Sequence, residues 1–143
     1  MINKIARLRS VPVIGKLSYI ILRIMGLDIP KGVRIGNNVD FVHGGFGVVI
    51  HPNTTIEDNV KIYQGVTFGR ADIHLDFEQS KMERVVIKKG AIVCAGAKVL
   101  CKERILTIGE NTIIGANSVL LSSTGSNEIW AGIPAKKIKD RSV

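Results

Sequence analysis

A chain of 143 residues, of which 45% are hydrophobic and only 5% aromatic, suits one domain with a core of Ile, Val, Leu and Ala. The formal net charge of +8 favours an anionic partner. It does not favour nucleic acid, because the sequence has no zinc-finger or RNA-binding motif and no basic stripe interleaved with aromatic residues. No apolar run reaches the roughly 18 residues of a membrane-spanning helix.

The N-terminal segment, residues 1–27, is basic and patchily apolar, with five basic and no acidic side chains. We expect it to be helical from about residue 3 to 26, with a break near Pro12, and to cap one end of the fold. It has no clear small-residue cleavage site after a hydrophobic stretch, so we interpret it as part of the mature protein. Contact with a neighbouring subunit or with an anionic membrane surface is the alternative to capping.

A six-residue repeat runs through most of the remaining sequence. Its aliphatic anchors are Ile50, Ile56, Ile62, Ile87, Val93, Val99, Ile108, Ile114 and Leu120, and Ile35 opens an earlier, less complete set. Three residues after eight anchors stand Asn38, Asn53, Asn59, Gly65, Gly90, Gly96, Asn111 and Asn117. One residue further stand Val39, Thr54, Val60, Val66, Ala91, Ala97, Thr112 and Ser118, all small or β-branched. Chance does not explain eight Asn or Gly residues at one repeat position.

The repeat has a physical interpretation in backbone geometry. Asn and Gly tolerate positive φ, so one of them every six residues predicts one tight corner every six residues. The aliphatic anchor between two corners then points inward from a short strand. Three sides make an 18-residue triangular coil, and such coils stack about 4.8 Å apart through parallel strands. The open ends of the stack need caps, and the tail from Trp130 onward is the candidate for the second one.

Three interruptions break the repeat and predict projecting loops, which often carry a binding site. The first is "DFVHGGFGVVI", which sets His43 beside three glycines. The second is the polar span 70–84, and the third is "LCKERILT". Cys94 and Cys101 are expected to be reduced thiols rather than a disulfide.

The repeats, together with "KIYQGVTFG", "CAGAKV", "IIGANSV" and "AGIPAKKI", resemble the hexapeptide-repeat acyltransferases. The segment "DIPKGVRIGNNVDFVHGG" is most similar to the serine O-acetyltransferase branch and its shorter relatives, which include sugar and polysaccharide O-acetyltransferases. The resemblance implies an all-β solenoid, a left-handed parallel β-helix, that normally assembles as a homotrimer. We expect an N-terminal helical cap over 1–27 and the β-helix acyltransferase domain over 28–143, with an inserted loop over 70–84.

The resemblance also implies the catalytic residues of an acetyl-CoA-dependent O-acetyltransferase that needs no metal. By position, His43 matches the family's catalytic base, and Asp28 matches the carboxylate that orients it. A neutral imidazole takes the proton of an acceptor hydroxyl as that hydroxyl attacks the thioester. A carboxylate on the other ring nitrogen fixes the tautomer and stabilises the imidazolium.

The same resemblance gives four candidate positions for coenzyme A. Gly69, Ala95 and Ala116 match positions where the family leaves a groove for the pantetheine arm. Lys136 matches a basic position near the nucleotide phosphates, where a cation attracts them.

The acceptor is expected to be a small molecule or saccharide, and a sugar hydroxyl is favoured over serine. Serine-specific relatives carry an acidic residue just before the catalytic histidine, where this chain has Val42. They carry an Arg-His pair where it has Glu83 and Arg84. A zwitterionic amino acid would lose its charged contacts there. We expect a cytoplasmic enzyme, with the inner face of the membrane as an alternative site of action.

Other interpretations compete with this one. His74, in the inserted loop, is a rival base. A γ-type carbonic anhydrase would need three histidines around zinc, and His43, His51 and His74 lack the required close pair. A non-catalytic scaffold would leave "AGIPAK" and the pairing of Asp28 with His43 unexplained.

Overall fold

The N-terminal segment forms two helices that cover one end of the molecule. The structure is a computed structural model that describes residues 1–142, except for the side chain of Ser10. Helix α1 spans Ile2–Arg7 and continues into a 3-10 turn over Leu8–Ser10, and helix α2 spans Ile14–Ile24. The break predicted near Pro12 lies between the two helices. No helix among residues 1–142 is long and apolar enough to cross a membrane.

The side chain of Arg9 joins this helical cap to the start of the first coil. Arg9 is buried and donates hydrogen bonds to the carbonyl oxygens of Ala6 (2.6 Å), Ile29 and Pro30. Burial lowers the pKa of Arg9 to about 10. The guanidinium therefore links α1 to the carbonyl groups of the segment that enters the first coil.

Twelve short strands follow, and each lies about six residues after the one before it except at the interruptions. They are β1 (Arg34–Ile35), β2 (Asp40–Phe41), β3 (Val49–Ile50), β4 (Thr54–Ile56), β5 (Lys61–Ile62), β6 (Thr67–Arg70), β7 (Arg84–Ile87), β8 (Ile92–Val93), β9 (Lys98–Cys101), β10 (Ile105–Ile108), β11 (Ile113–Ile114) and β12 (Val119–Leu120). Every third strand joins the same parallel sheet, in the orders β1-β4-β7-β10, β2-β5-β8-β11 and β3-β6-β9-β12. The chain therefore passes through three sheets in turn, four times, as the six-residue repeat predicts.

The core is the column of side chains that the repeat predicted. All nine anchors from Ile50 to Leu120 are at most 2% exposed, and so are all eight small or β-branched partners from Val39 to Ser118. Ile35, from the less complete set, is only partly buried. The mainly β architecture with parallel sheets and a short helical N-terminus agrees with the prediction.

The corners agree with the prediction at seven of eight positions, and Asn53 is the exception. The backbone φ is positive at Asn38, Asn59, Gly65, Gly90, Gly96, Asn111 and Asn117, whereas Asn53 lies outside that set. At its corner the backbone N–H of Asn53 donates to Nδ1 of His51 (3.1 Å), and Thr54 Oγ1 donates to the carbonyl of His51 (2.7 Å). These side-chain hydrogen bonds close the turn without a left-handed residue.

The tail, the candidate for the second cap, forms a hairpin that extends the second sheet beyond β11. Strand β13 (Glu128–Gly132) pairs in parallel with β11, and β14 (Ala135–Asp140) returns antiparallel to it. Ala135 is buried, and Trp130 packs partly against the core. The Ile133–Pro134 peptide bond in the turn is cis.

Candidate active site

The histidine loop is an expansion of one corner of the first coil. Phe41 pairs with Ile62, and the carbonyl of Phe46 accepts a hydrogen bond from Gly65 N–H (2.8 Å). Phe46 comes five residues after Phe41, whereas in the next coil the equivalent residue, Gln64, comes only two residues after Ile62. The additional residues form a kinked turn over Val42–Gly45 that lifts His43 out of the regular coil.

His43 has a left-handed backbone, with φ 54° and ψ 34°, and its side chain is exposed. Its ring meets that of Tyr63 edge to face, with centroids 6.2 Å apart and an interplanar angle of 63°. Gly45, with φ 63°, is buried against Leu27, so a side chain there would collide. Gly44 has open space around its Cα instead, which leaves room beside the imidazole for a ligand.

Asp28 lies next to this loop but faces the helical cap. Its backbone N–H donates to Val48 O (2.8 Å), and its carbonyl accepts from Ile50 N–H (2.9 Å). The carboxylate accepts hydrogen bonds from Tyr19 Oη (3.0 Å) and from Arg23 Nη1 (2.8 Å). No hydrogen bond joins Asp28 to His43 in the part of the chain that the structure describes. The predicted contact between them is therefore not formed in this structure, in which both carboxylate oxygens accept hydrogen bonds from α2.

Two of the predicted coenzyme A positions stack at the same corner as the histidine loop. Asn117 N–H donates to Ala95 O (2.9 Å), and Gly96 N–H donates to Gln64 O (2.9 Å). Phe46, Gln64, Ala95 and Ala116 therefore follow one another up a single edge, one per coil. We call this the ligand edge. Ala116 is exposed and Ala95 half-buried, so the edge narrows to small side chains above the histidine loop.

The two other predicted positions lie on either side of the ligand edge. Lys136 is exposed and pairs with Ala131 of β13, whose Cβ lies 3.0 Å from where a Cβ on Gly115 would be. That register puts Lys136 near the upper end of the ligand edge. Gly69 pairs with Leu100 inside the third sheet, where an added Cβ would make an ordinary contact with Leu100 at 3.6 Å. Gly69 therefore lies within a strand of the third sheet rather than on the ligand edge.

Glu83 and Arg84, two of the three positions expected to differ from serine-specific relatives, lie at another corner. Glu83 comes just before β7 and Arg84 is its first residue, at the passage from the third sheet to the first, whereas His43 lies between the second and third. The guanidinium of Arg104 donates to Glu83 Oε1 (2.6 Å), and Arg84 Nη1 donates to Thr55 Oγ1 (2.9 Å). Both side chains are thus bound within their own chain.

The inserted loop also lies at that other corner. It runs between β6 and β7 with a 3-10 turn over Phe77–Gln79 and exposes His74. His51 stacks on Phe77, with centroids 5.9 Å apart, and Arg70 donates to Leu75 O (2.8 Å). His74 does not join His43 at the ligand edge. Among residues 1–142, no three His, Cys, Asp or Glu side chains are grouped so that they could hold a metal ion.

Four contacts at the site were not predicted from the sequence: Tyr63 beside His43, Gln64 within the ligand edge, and Tyr19 and Arg23 on Asp28. The Tyr-Gln pair in "KIYQGVTFG" follows the second strand of its coil, as His43 does in the coil before. That shared repeat position could have revealed Tyr63 and Gln64. Tyr19 and Arg23 lie outside the repeat and gave no comparable signal.

Known proteins similar to this chain are serine acetyltransferases. The one from Staphylococcus aureus (strain Mu50 / ATCC 700699) is 40% identical over 123 residues, covering 82% of this chain and 51% of that protein. The one from Synechococcus elongatus is 37% identical over 131 residues, covering 91% and 50%. No family model matches the chain. The chain spans about half the length of the curated relatives it matches.

Solved structures that superpose on this chain are also serine acetyltransferases. The crystal structure of serine acetyltransferase from Brucella abortus strain S19 superposes with a TM-score of 0.81 at 26% identity, covering 99% of this chain and 57% of that one. The structure of that enzyme in complex with coenzyme A gives 0.80 at 25% identity, with 98% and 55% covered. This chain belongs to the hexapeptide-repeat acyltransferase family. Membership agrees with the resemblance that the repeats and the closing "AGIPAK" carried.

Proposed function

We propose that this hexapeptide-repeat protein is an acetyl-CoA-dependent O-acetyltransferase with His43 as general base. The observation that carries the proposal is the ligand edge, where the loop of exposed His43 shares a corner with the small side chains of Ala95 and Ala116. The names of the relatives, and coenzyme A in one neighbour's structure, support the same class of reaction. We further propose that the three-sided coil is left-handed, as the resemblance implies.

The chemistry follows from the groups at this edge. Neutral His43 accepts the proton of the acceptor hydroxyl while the hydroxyl oxygen attacks the carbonyl carbon of the thioester. The tetrahedral intermediate then collapses, the carbon–sulfur bond breaks, and the departing thiolate takes the proton from the imidazolium. The products are an acetyl ester and coenzyme A, with no net change in the enzyme.

The ligand edge suits the cosubstrate that this reaction needs. An extended pantetheine arm fits along Ala95 and Ala116, where larger side chains would obstruct it. Lys136 near the upper end would attract the nucleotide phosphates, and the overall charge of +8 adds to this attraction. Gly69, set in the third sheet, would border the groove rather than line its centre. These roles are proposals for all four residues.

We propose that the acceptor is an uncharged compound with a free hydroxyl group, such as a saccharide. The argument rests on Val42, which offers no charge beside His43, and on Glu83 and Arg84, which are bound to Arg104 and Thr55. A free amino acid would leave its ammonium and carboxylate without charged partners at these positions. Serine is the second candidate, and the relatives' names favour it.

We also propose a homotrimer in which the site is completed by a neighbouring subunit. His43 and the inserted loop lie at different corners of one chain, so they can face the same acceptor only across an interface. Peripheral membrane contact through α2 is a lesser proposal: its side chains Leu17, Ile20 and Ile24 are at least 53% exposed. Light scattering and flotation with anionic vesicles test these two proposals separately.

One experiment tests the proposed reaction and its acceptor together. Release of coenzyme A from acetyl-CoA is measured with serine, free sugars and nucleotide sugars, and coenzyme A binding is measured by calorimetry. We expect binding, and turnover with a saccharide. Turnover with serine alone would refute the acceptor, whereas no coenzyme A binding would favour a scaffold and refute the enzyme.

A further inference from the structure

Two side chains of α2 bind the carboxylate of Asp28 and reach it from one face of the helix. Tyr19 and Arg23 are four residues apart, which brings them together on the helix surface. Tyr19 Oη lies 3.0 Å from Oδ1 of Asp28, and Arg23 Nη1 lies 2.8 Å from Oδ2. Arg23 Nη1 also lies 3.3 Å from Tyr19 Oη, with its guanidinium carbon 5.9 Å from the centroid of that ring. Each of the three side chains therefore contacts the other two, and we call them the carboxylate set.

This set is fixed to the coil that carries His43. Asp28 pairs with Val49 as an isolated parallel bridge. Two residues earlier, Gly26 O accepts a hydrogen bond from Gly47 N–H (2.8 Å), directly after the histidine loop. Gly26 packs against the ring of Phe46, since an added Cβ would lie 2.9 Å from that ring. The residues that follow α2 are therefore attached along the whole of the segment 46–50, which comes directly after the histidine loop.

We propose that Tyr19 and Arg23 are positioning residues that hold Asp28 and moderate its negative charge toward His43. The proposal rests on the proposed function and on a further premise, taken from the resemblance, that Asp28 orients the base His43. Each carboxylate oxygen can accept more than one hydrogen bond, so Asp28 can bind α2 and still receive the imidazole N–H. The helical cap thereby becomes part of the active site rather than a cover for the coil.

The charges predict a direction for the effect. A carboxylate favours the imidazolium form of a nearby histidine, and a guanidinium paired to that carboxylate opposes this effect. Asp28 raises the pKa of Arg23, so this cation stays charged at every assay pH. Among the described residues, Tyr19 and Arg23 are the titratable side chains in contact with Asp28, strand β3 contributes Val49, and His43 faces Tyr63.

The test compares Arg23→Met, Arg23→Lys and Tyr19→Phe with Lys16→Met, a control at an exposed cation on the same helix. In Arg23→Met we expect the acid limb of the kcat/KM profile to move up by roughly half a pH unit. Arg23→Lys restores the limb. Tyr19→Phe lowers kcat without moving the acid limb, because Asp28 keeps its ion pair with Arg23. Lys16→Met behaves as the wild type, and KM for acetyl-CoA stays constant throughout.

A second readout needs no catalytic turnover. Diethyl pyrocarbonate modifies neutral imidazole, so the pH dependence of labelling at His43, followed by mass spectrometry, reports the same coupling. Movement of that dependence in Arg23→Met but not in Lys16→Met supports the proposal even if no acceptor is turned over. An unchanged dependence, with only a lower Tm, would make the contact purely structural and overturn the proposal.

Discussion

Asn117 donates its backbone N–H to the carbonyl oxygen of Ala95 at 2.9 Å, so equivalent corners of consecutive coils lie directly above one another. Gly96 repeats the contact one coil below, on the carbonyl of Gln64. The stacking aligns the ligand edge with the histidine loop. A single edge of the chain therefore carries the loop of the proposed base and the small side chains that we propose contact the thioester.

Filling the ligand edge should block the cosubstrate without unfolding the protein. Ala116 is exposed, so Ala116→Trp adds bulk outside the core. We expect KM for acetyl-CoA to rise about tenfold or more, which corresponds to roughly 1.4 kcal/mol of lost binding. Ser122→Trp, at an exposed position on a different corner, is the matched control. Equal KM values for the two variants would show that the pantetheine arm does not bind along this edge.

The corners should be sensitive to β-branched residues only where φ is positive. Asn59 has φ 58°, whereas Asn53 is not in the left-handed region. Asn59→Val should lower the free energy of unfolding by about 1–2 kcal/mol, because Cβ crowds the backbone at positive φ. Asn53→Val should cost roughly 0.5 kcal/mol or less. Urea denaturation of both variants measures the difference, and equal losses would contradict the corner geometry.

Stability should fall with acidity through His51. Burial first, and then the charge of Arg70, lower the pKa of His51 below its ordinary value of 6.5, while Asp72 opposes them. The unfolded chain therefore binds a proton that the folded chain does not, so the free energy of unfolding falls as the pH drops below 6.5. Protonation of Nδ1 would also remove the acceptor for Asn53 N–H.

Two variants isolate this effect. His51→Asn keeps an acceptor and removes the titration, so it should lose less stability than the wild type between pH 7.5 and 5.5. His74→Asn, at an exposed position in the inserted loop, should follow the wild type. Urea denaturation across this pH range gives the comparison. A wild type whose stability parallels that of His51→Asn would show that His51 does not contribute.

The sequence predicted the repeating parts of the molecule well because each repeat position has one physical demand. A positive φ selects Asn or Gly, and an inward position selects Ile or Val, so the corners and core columns follow from the pattern. Asn53 departs from it because His51 and Thr54 close that turn with side-chain hydrogen bonds. Such local alternatives satisfy the backbone without altering the six-residue spacing.

The site was only partly predictable, since it depends on contacts that no period encodes. His43 stood out as an interruption of the repeat, whereas its proposed role and the positions Ala95 and Ala116 came from the resemblance. The attachment of Asp28 to Tyr19 and Arg23 depends on how α2 docks on the first coil, which the repeat does not specify. The tail was expected as a cap, and the repeat did not predict that β13 and β14 would form a hairpin at the end of the second sheet.

The most direct test of the central claim compares acetyl transfer by the wild type, His43→Ala and His74→Ala. General-base catalysis is worth about 100- to 10,000-fold, so His43→Ala should lose that much kcat while retaining coenzyme A binding and its Tm. His74→Ala, at the other corner, should stay near the wild-type rate. Near-full turnover by His43→Ala, or loss of turnover in His74→Ala alone, would contradict the account.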